Sequence, residues 1–184
     1  LGREQSGHIA AIGFDLYCQL LREAVSRMKG ENTVHRSDVA LICDFISFGP
    51  TTDPQRVSAC LPRDYIIDEA TRVACYRELS SFQEAERVDA YQEELRDRFG
   101  RLPLAAVNFL MIVKMKITAA NAGIHSISVR NRKVYLETRS GFLKNLNRRF
   151  PAIEAALPRE QLVQLVQIVH RSARESDSTT GDNC

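Results

Sequence analysis

Glycine and proline are scarce in these 184 residues, nine and six respectively, and follow no period. A collagen-like chain is therefore excluded. An excess of one charge is also missing: 25 Lys and Arg stand against 23 Asp and Glu, a net charge of +2. With 44% hydrophobic and 26% charged residues, the chain has the balance of an ordinary soluble globular protein. A disordered chain combines low hydrophobicity with high net charge. At this length one domain, or one domain with an appendage, is expected. No long apolar run stands out. The most apolar stretch, Leu104 to Ala122, is interrupted by Asn108, Lys114, Lys116 and Asn121, whereas a membrane span needs roughly 20 consecutive apolar residues. No basic stretch followed by an apolar run and a cleavage site opens the chain, so no secretory signal is read. The five cysteines (Cys18, Cys43, Cys60, Cys75, Cys184) are odd in number and include no CxxC pair. They read as reduced thiols of a cytoplasmic protein, packed as small hydrophobes.

The usual catalytic signatures are missing too. A phosphate-binding loop needs Gly-x-x-x-x-Gly followed by Lys and Ser or Thr; Gly2 and Gly7 have the spacing but precede His8-Ile9. There is no GxGxxG, HExxH or GxSxG, and His8, His35, His125 and His170 are scattered. Asp64, Asp68, Glu93, Glu94 and Asp97 form carboxylate clusters, but Arg63, Arg72, Arg96 and Arg98 stand at spacings of solvated helical ion pairs. No catalytic residue and no metal site is assigned.

Charge is present in quantity but segregated. Residues 1–100 carry 12 basic and 17 acidic side chains; residues 101–150 carry 10 basic and one acidic, Glu137; residues 151–184 carry three and five. The middle block contains Lys114, Lys116, Arg130, Arg132, Lys133, Arg139, Lys144, Arg148 and Arg149. It reads either as a surface for phosphate backbone or an acidic partner domain, or as a solvated face neutralised by residues 1–100. Regularly exposed aromatics are not apparent in it, so stacking on single strands is not indicated.

Periodicity predicts an α+β fold, mostly helical, with a long N-terminal amphipathic helix and a small antiparallel sheet packed by helices. Ile9, Ile12, Leu16, Leu20, Ala24 and Met28 recur at helical spacing, with Gly30 at the C-terminal cap. Val39 to Phe48 alternates in a pattern suited to one strand buried on both faces, and Val57 to Leu61 suits a short partner. Asp68 caps a helix to about Leu79. Ser81 to Glu84 reads as a capping box for a helix ending at Gly100. Pro103 opens a helix closed by Gly123. A hairpin over Ile124 to Thr138 turns at Asn131-Arg132. Ser140 starts a short helix with Phe142, Leu143, Leu146 and Phe150, and Pro158 starts the last helix. Glu175 to Cys184 reads as a disordered tail.

Two stretches carry a resemblance. Leu1-Gly2-Arg3-Glu4-Gln5-Ser6-Gly7-His8-Ile9 runs into Ile12-Gly13-Phe14-Asp15-Leu16-Tyr17 and Leu20-Leu21-Arg22-Glu23-Ala24-Val25. Further on stand Leu61-Pro62-Arg63-Asp64-Tyr65-Ile66, Arg72, Tyr76-Arg77, Glu94-Leu95, Asp97-Arg98-Phe99-Gly100, Leu102-Pro103 and Gly123-Ile124. Both resemble, in order, the bacterial transcription-repair coupling factors (Mfd). The first matches the end of their RecG-like translocation module and the second their C-terminal regulatory domain. The chain begins at Leu1 in the middle of the first pattern, and so reads as a C-terminal fragment.

The resemblance implies four segments: the end of the translocation module over 1–30, a connecting segment with a strand over 31–58, the regulatory domain over 59–174, and a tail over 175–184. It implies a parent that is an ATP-dependent double-stranded DNA translocase using ATP and Mg²⁺. That parent removes stalled RNA polymerase and recruits UvrA for nucleotide excision repair in the cytoplasm. This part would have no catalysis and no cofactor of its own, and no membrane association. Arg3, Gln5 and Ser6 match the loop that couples the motor to DNA. The regulatory domain would contact the N-terminal region and mask UvrA binding. Lys114, Lys116, Arg130, Arg132, Lys133, Lys144, Arg148 and Arg149 are the candidate surface for that partner or for DNA. The alternative is an autonomous DNA-binding or protein-interaction module built on the 101–150 block.

Overall fold

The computed structural model describes residues 39–144 and 149–180, without the side chains of 176–180. The long N-terminal helix expected over 1–30 lies outside the described residues, as do Arg3, Gln5, Ser6, Leu146 and Arg148.

Val39 to Phe48 is not one strand. It breaks at an Asp44-Phe45 turn into β1 (Ala40–Ile42) and β2 (Ile46–Ser47). Successive strand residues face opposite sides. Val39 and Leu41 point inward while Ala40 and Ile42 are exposed, and the turn then lets the adjacent Phe45 and Ile46 both be buried. The first part is therefore buried on one face only. The partner strand shortens to β3 (Val57–Ser58), which pairs parallel with β2.

Asp68 caps α1 (Glu69–Ser81) as expected. Its Oδ2 accepts from the Thr71 amide at 2.7 Å and the Thr71 hydroxyl at 2.6 Å. These hydrogen bonds hold the carboxyl below its ordinary range. The Ser81 capping box does not form. Ser81 is the last residue of α1, and its hydroxyl donates back to the Glu78 carbonyl at 2.7 Å. Serine satisfies a preceding carbonyl as readily as a following amide. The next helix, α2 (Ala85–Phe99), starts after Glu84 without a side-chain cap and ends at Gly100, at φ +84° and ψ −163°. Pro103 stands one place before the first helical residue of α3 (Leu104–Asn121), and Gly123 follows that helix at φ +74°.

Among the described residues α3 is long and apolar enough, by length and composition, to cross a membrane. Its polar interruptions do not lower it below that mark. One side of it is committed to the core, however: Phe109, Leu110, Ile112, Met115, Ile117 and Ala119 are all buried, while Leu104 is exposed. α2, α4, β3 and β4 pack around it.

The hairpin forms as β4 (Ile124–Arg130) and β5 (Lys133–Thr138). Asn131 (φ +50°) and Arg132 (φ +63°) make the two-residue turn; positive φ at both central positions matches the right-handed twist of the flanking strands. The helix expected from Ser140 is instead β6 (Gly141–Leu143), antiparallel to β5. Gly141 at φ +118° closes a tight turn there, and β6 occupies the strand edge that β5 leaves open. The sheet order is β1-β4-β5-β6, with β1 parallel to β4. The sheet is therefore mixed, not wholly antiparallel. Val39, Leu41, Phe45, Ile46 and Val57 share one core with the helices.

The last helix, α4 (Pro158–Thr180), seats Leu162, Leu165 and Val169 against α3. It runs five residues beyond Glu175, where a tail was expected.

Candidate interaction surface

The fold divides the basic block into three groups. Lys114 and Lys116 lie on α3. Lys114 Nζ sits 2.7 Å from both carboxylate oxygens of Asp89 on α2, so an acidic residue of the first hundred neutralises it. Lys116 is half-buried. The second group, Arg130, Arg132 and Lys133, is exposed at the hairpin end, where Arg130 and Lys133 face each other across β4 and β5. Arg132 also borders an open groove of about 570 Å³ with Asp44, Asp53, Arg56 and Gln161. Its backbone carbonyl accepts from the Ile153 amide at 2.7 Å, which anchors the turn to the segment before α4. The third group, Lys144 and Arg149, is exposed beyond β6, and Arg139 lies on the turn before it.

Tyr135, Phe142 and Phe150 form a ring cluster. Tyr135 and Phe150 have centroids 4.6 Å apart, and Phe142 stands edge-on to each at 6.1 Å. Lys144 Nζ lies 5.4 Å from the Phe150 centroid, within cation–π range. Of these rings Phe142 is exposed, and Tyr135 and Phe150 are half-buried. A strand at 141–143 would have revealed them, since pairing places Phe142 opposite Glu137 on the face of Tyr135; helical spacing hides that relation.

The conspicuous sequence motifs prove to be scaffold. Tyr65 stacks edge-on to Phe99 at 5.9 Å. The Tyr76 hydroxyl accepts from the buried Leu61 amide at 2.7 Å, and Arg72 Nη1 donates to the Ile66 carbonyl at 2.7 Å. The carboxylate clusters behave as ion pairs: Glu93 with Arg96, and Glu94 with Arg98 at 3.1 Å. Asp68 serves as a cap. Among the described residues no group of three His, Cys, Asp or Glu side chains comes together as a metal site. Burial pushes the Cys43 thiol up to about 12, with the Asp44 charge adding to it against a backbone hydrogen bond from Phe45. Burial likewise pushes Cys60 up to about 11, with Asp64 adding and Arg72 opposing. Neither has the lowered pKa of a nucleophilic thiol.

The fold resembles a solved structure described as the C-terminal domain of transcription-repair coupling factor, with a TM-score of 0.57 and 18% identity, over 77% of this chain and 95% of that one. Curated relatives are transcription-repair-coupling factors. That of Buchnera aphidicola subsp. Acyrthosiphon pisum is 35% identical over 133 residues, 71% of this chain and 15% of the relative. That of Helicobacter pylori strain J99 is 33% identical over 136 residues, 74% and 12%. That of Rickettsia typhi is 32% identical over 127 residues, 69% and 10%. The chain thus spans only a tenth to a seventh of the length of these relatives. The TRCF domain family matches residues 55–147, from the loop before β3 through β6 and beyond it. With half of its length matched, and the Tyr65–Phe99 and Leu61–Tyr76 contacts holding together the motifs that first suggested it, the chain belongs to the TRCF domain family.

Proposed function

We propose that this chain is the C-terminal part of a transcription-repair coupling factor, a regulatory domain without catalysis of its own. The TRCF domain match over 55–147 carries this reading. The parent would be an ATP- and Mg²⁺-dependent double-stranded DNA translocase of the cytoplasm that removes stalled RNA polymerase and recruits UvrA. Arg3, Gln5 and Ser6 would couple it to DNA. The regulatory domain would hold the N-terminal region and mask UvrA binding until translocation begins. The cations Arg130, Arg132, Lys133, Lys144, Arg148 and Arg149 would supply the contact. Lys114 contributes little, because Asp89 already neutralises it. A charged, polar contact between domains is weak enough to open when the motor moves, and is screened by salt.

Binding of this chain to the N-terminal region of its parent, added separately, tests the reading. The triple substitution Arg130→Glu, Arg132→Glu and Lys133→Glu is expected to weaken it at least tenfold. Unchanged affinity would remove the hairpin end from the contact. The upstream gene sequence tests the parentage: an open frame running into helicase motifs is expected, and an initiator at Leu1 with no such frame would refute it.

A further inference from the structure

We infer that the outer face of the four-stranded sheet is a binding platform for single-stranded nucleic acid. β1, β4 and β5 place Ile42, Ser128 and Tyr135 in one row across the sheet, and Lys144 follows β6 at the position opposite Tyr135. The neighbouring row is Ala40, Ser126, Glu137 and Phe142. Arg130 and Lys133 form a third row at the hairpin end. Alternation turns Leu41, Ile127, Val129, Val134 and Leu136 to the opposite, buried face against the helices.

The outer face is partly open to solvent, with Ser126, Ser128, Tyr135 and Glu137 half-buried. Ile42 is 54% exposed and Phe142 is 51% exposed. The centre is low, because Ala40, Ser126 and Ser128 are small. The rings of Tyr135, Phe142 and Phe150 stand along one side. Cations border them: Lys133 two residues from Tyr135, Arg130 across from Lys133, and Lys144 against Phe150. Glu137 is the single acid of these rows.

This combination selects the ligand. Flat rings on an open sheet offer stacking to unpaired bases, and flanking cations follow the phosphates. A duplex keeps its bases stacked inside and can use only the cations. An acidic protein segment would likewise use the cations and leave the rings without a complementary group. Two or three bases suit a platform of this size. Arg130, Lys133 and Lys144 also belong to the domain contact proposed above, so the test turns on Phe142, which that contact does not use.

The experiment is fluorescence anisotropy of the full chain with a labelled 12-nucleotide oligodeoxythymidylate and with a duplex of equal length, at two salt concentrations. The single strand is expected to bind at least tenfold more tightly than the duplex. Phe142→Ala is expected to weaken single-strand binding at least fivefold with little change for the duplex, since it removes a ring on which an unpaired base stacks. Phe142→Trp keeps a ring in a chain that has no tryptophan; it is expected to retain binding, with its fluorescence quenched by the oligonucleotide. Equal or tighter duplex binding, no single-strand binding, or a Phe142→Trp signal unchanged by the strand would each overturn the proposal. So would a concentration-dependent dimer that Phe142→Ala abolishes while strand binding persists, which would assign the face to a second copy of the chain.

Discussion

The hydroxyl of Tyr65 donates to the carbonyl of Leu95 at 3.0 Å, thirty residues further along the chain. It reaches the Gly100 carbonyl as well, at 3.2 Å. Tyr65 thereby ties the segment before α1 to the C-terminal end of α2. Tyr65→Phe is expected to cost about 1 kcal/mol in denaturant unfolding. Gly100→Ala is expected to cost about 1–3 kcal/mol, because its φ of +84° and ψ of −163° lie in a region that is essentially glycine's alone. Unchanged midpoints for both variants would contradict this helix-end geometry.

The hairpin turn gives a second test. Arg132 holds a left-handed backbone at φ +63°, a conformation that crowds any Cβ and crowds a branched one most. Arg132→Val is expected to destabilise the chain by about 1–2 kcal/mol, while Arg132→Gly is neutral or stabilising. The reverse order in thermal melting would rule out the two-residue turn.

His170, on α4, has its pKa lowered from 6.5, chiefly by burial and further by the positive charges of Lys114 and Arg174. The folded state thus favours the neutral ring, and below pH 6.5 the unfolded chain binds the extra proton more readily. The contribution is fully present above pH 6.5 and is lost as pH falls through the folded-state pKa. Urea titrations from pH 8 to pH 5 are expected to show His170→Gln losing less stability on acidification than the parent chain. A larger loss in the variant would reverse the sign assigned to this site.

Cys43 and Cys60 are expected to resist alkylation by iodoacetamide at pH 8 in the native chain and to react in denaturant. Both thiols stay protonated there, at about 12 and about 11, and the thiolate is the nucleophile. Peptide mapping by mass spectrometry reads the result residue by residue, and rapid native labelling of Cys60 would contradict its burial.

The Lys114–Asp89 pair closes at 2.7 Å but is 31% and 61% exposed. Solvent screening limits such pairs to about 1 kcal/mol or less. A double-mutant cycle with Lys114→Gln and Asp89→Asn is expected to return a coupling in that range. A coupling several times larger would mean that water is excluded from the pair.

Much of the fold was legible from local chemistry. The Asp68 cap, the end of α2 at Gly100, the Asn131-Arg132 turn and the start of α4 at Pro158 each depend on a residue with a strong backbone preference and nearby partners. Where sequence reading failed, local chemistry allowed two outcomes. Ser81 can cap forward or bond backward, and the closure of α1 chose the second. Gly141-Phe142-Leu143 has no period long enough to separate helix from strand, and the open edge of β5 made it a strand.

The same division holds for function. The motifs around Tyr65 and Phe99, whose contacts are internal to the fold, identify the family, and composition alone concentrates positive charge in residues 101–150. The surroundings of each charge follow from packing. Packing of α2 on α3 placed Asp89 against Lys114, and strand pairing set Tyr135, Phe142, Phe150 and Lys144 side by side. Charge adds along a chain whatever its shape. Ring stacking and ion pairing require contact within a few ångströms, and residues far apart in sequence reach that distance only when the chain folds.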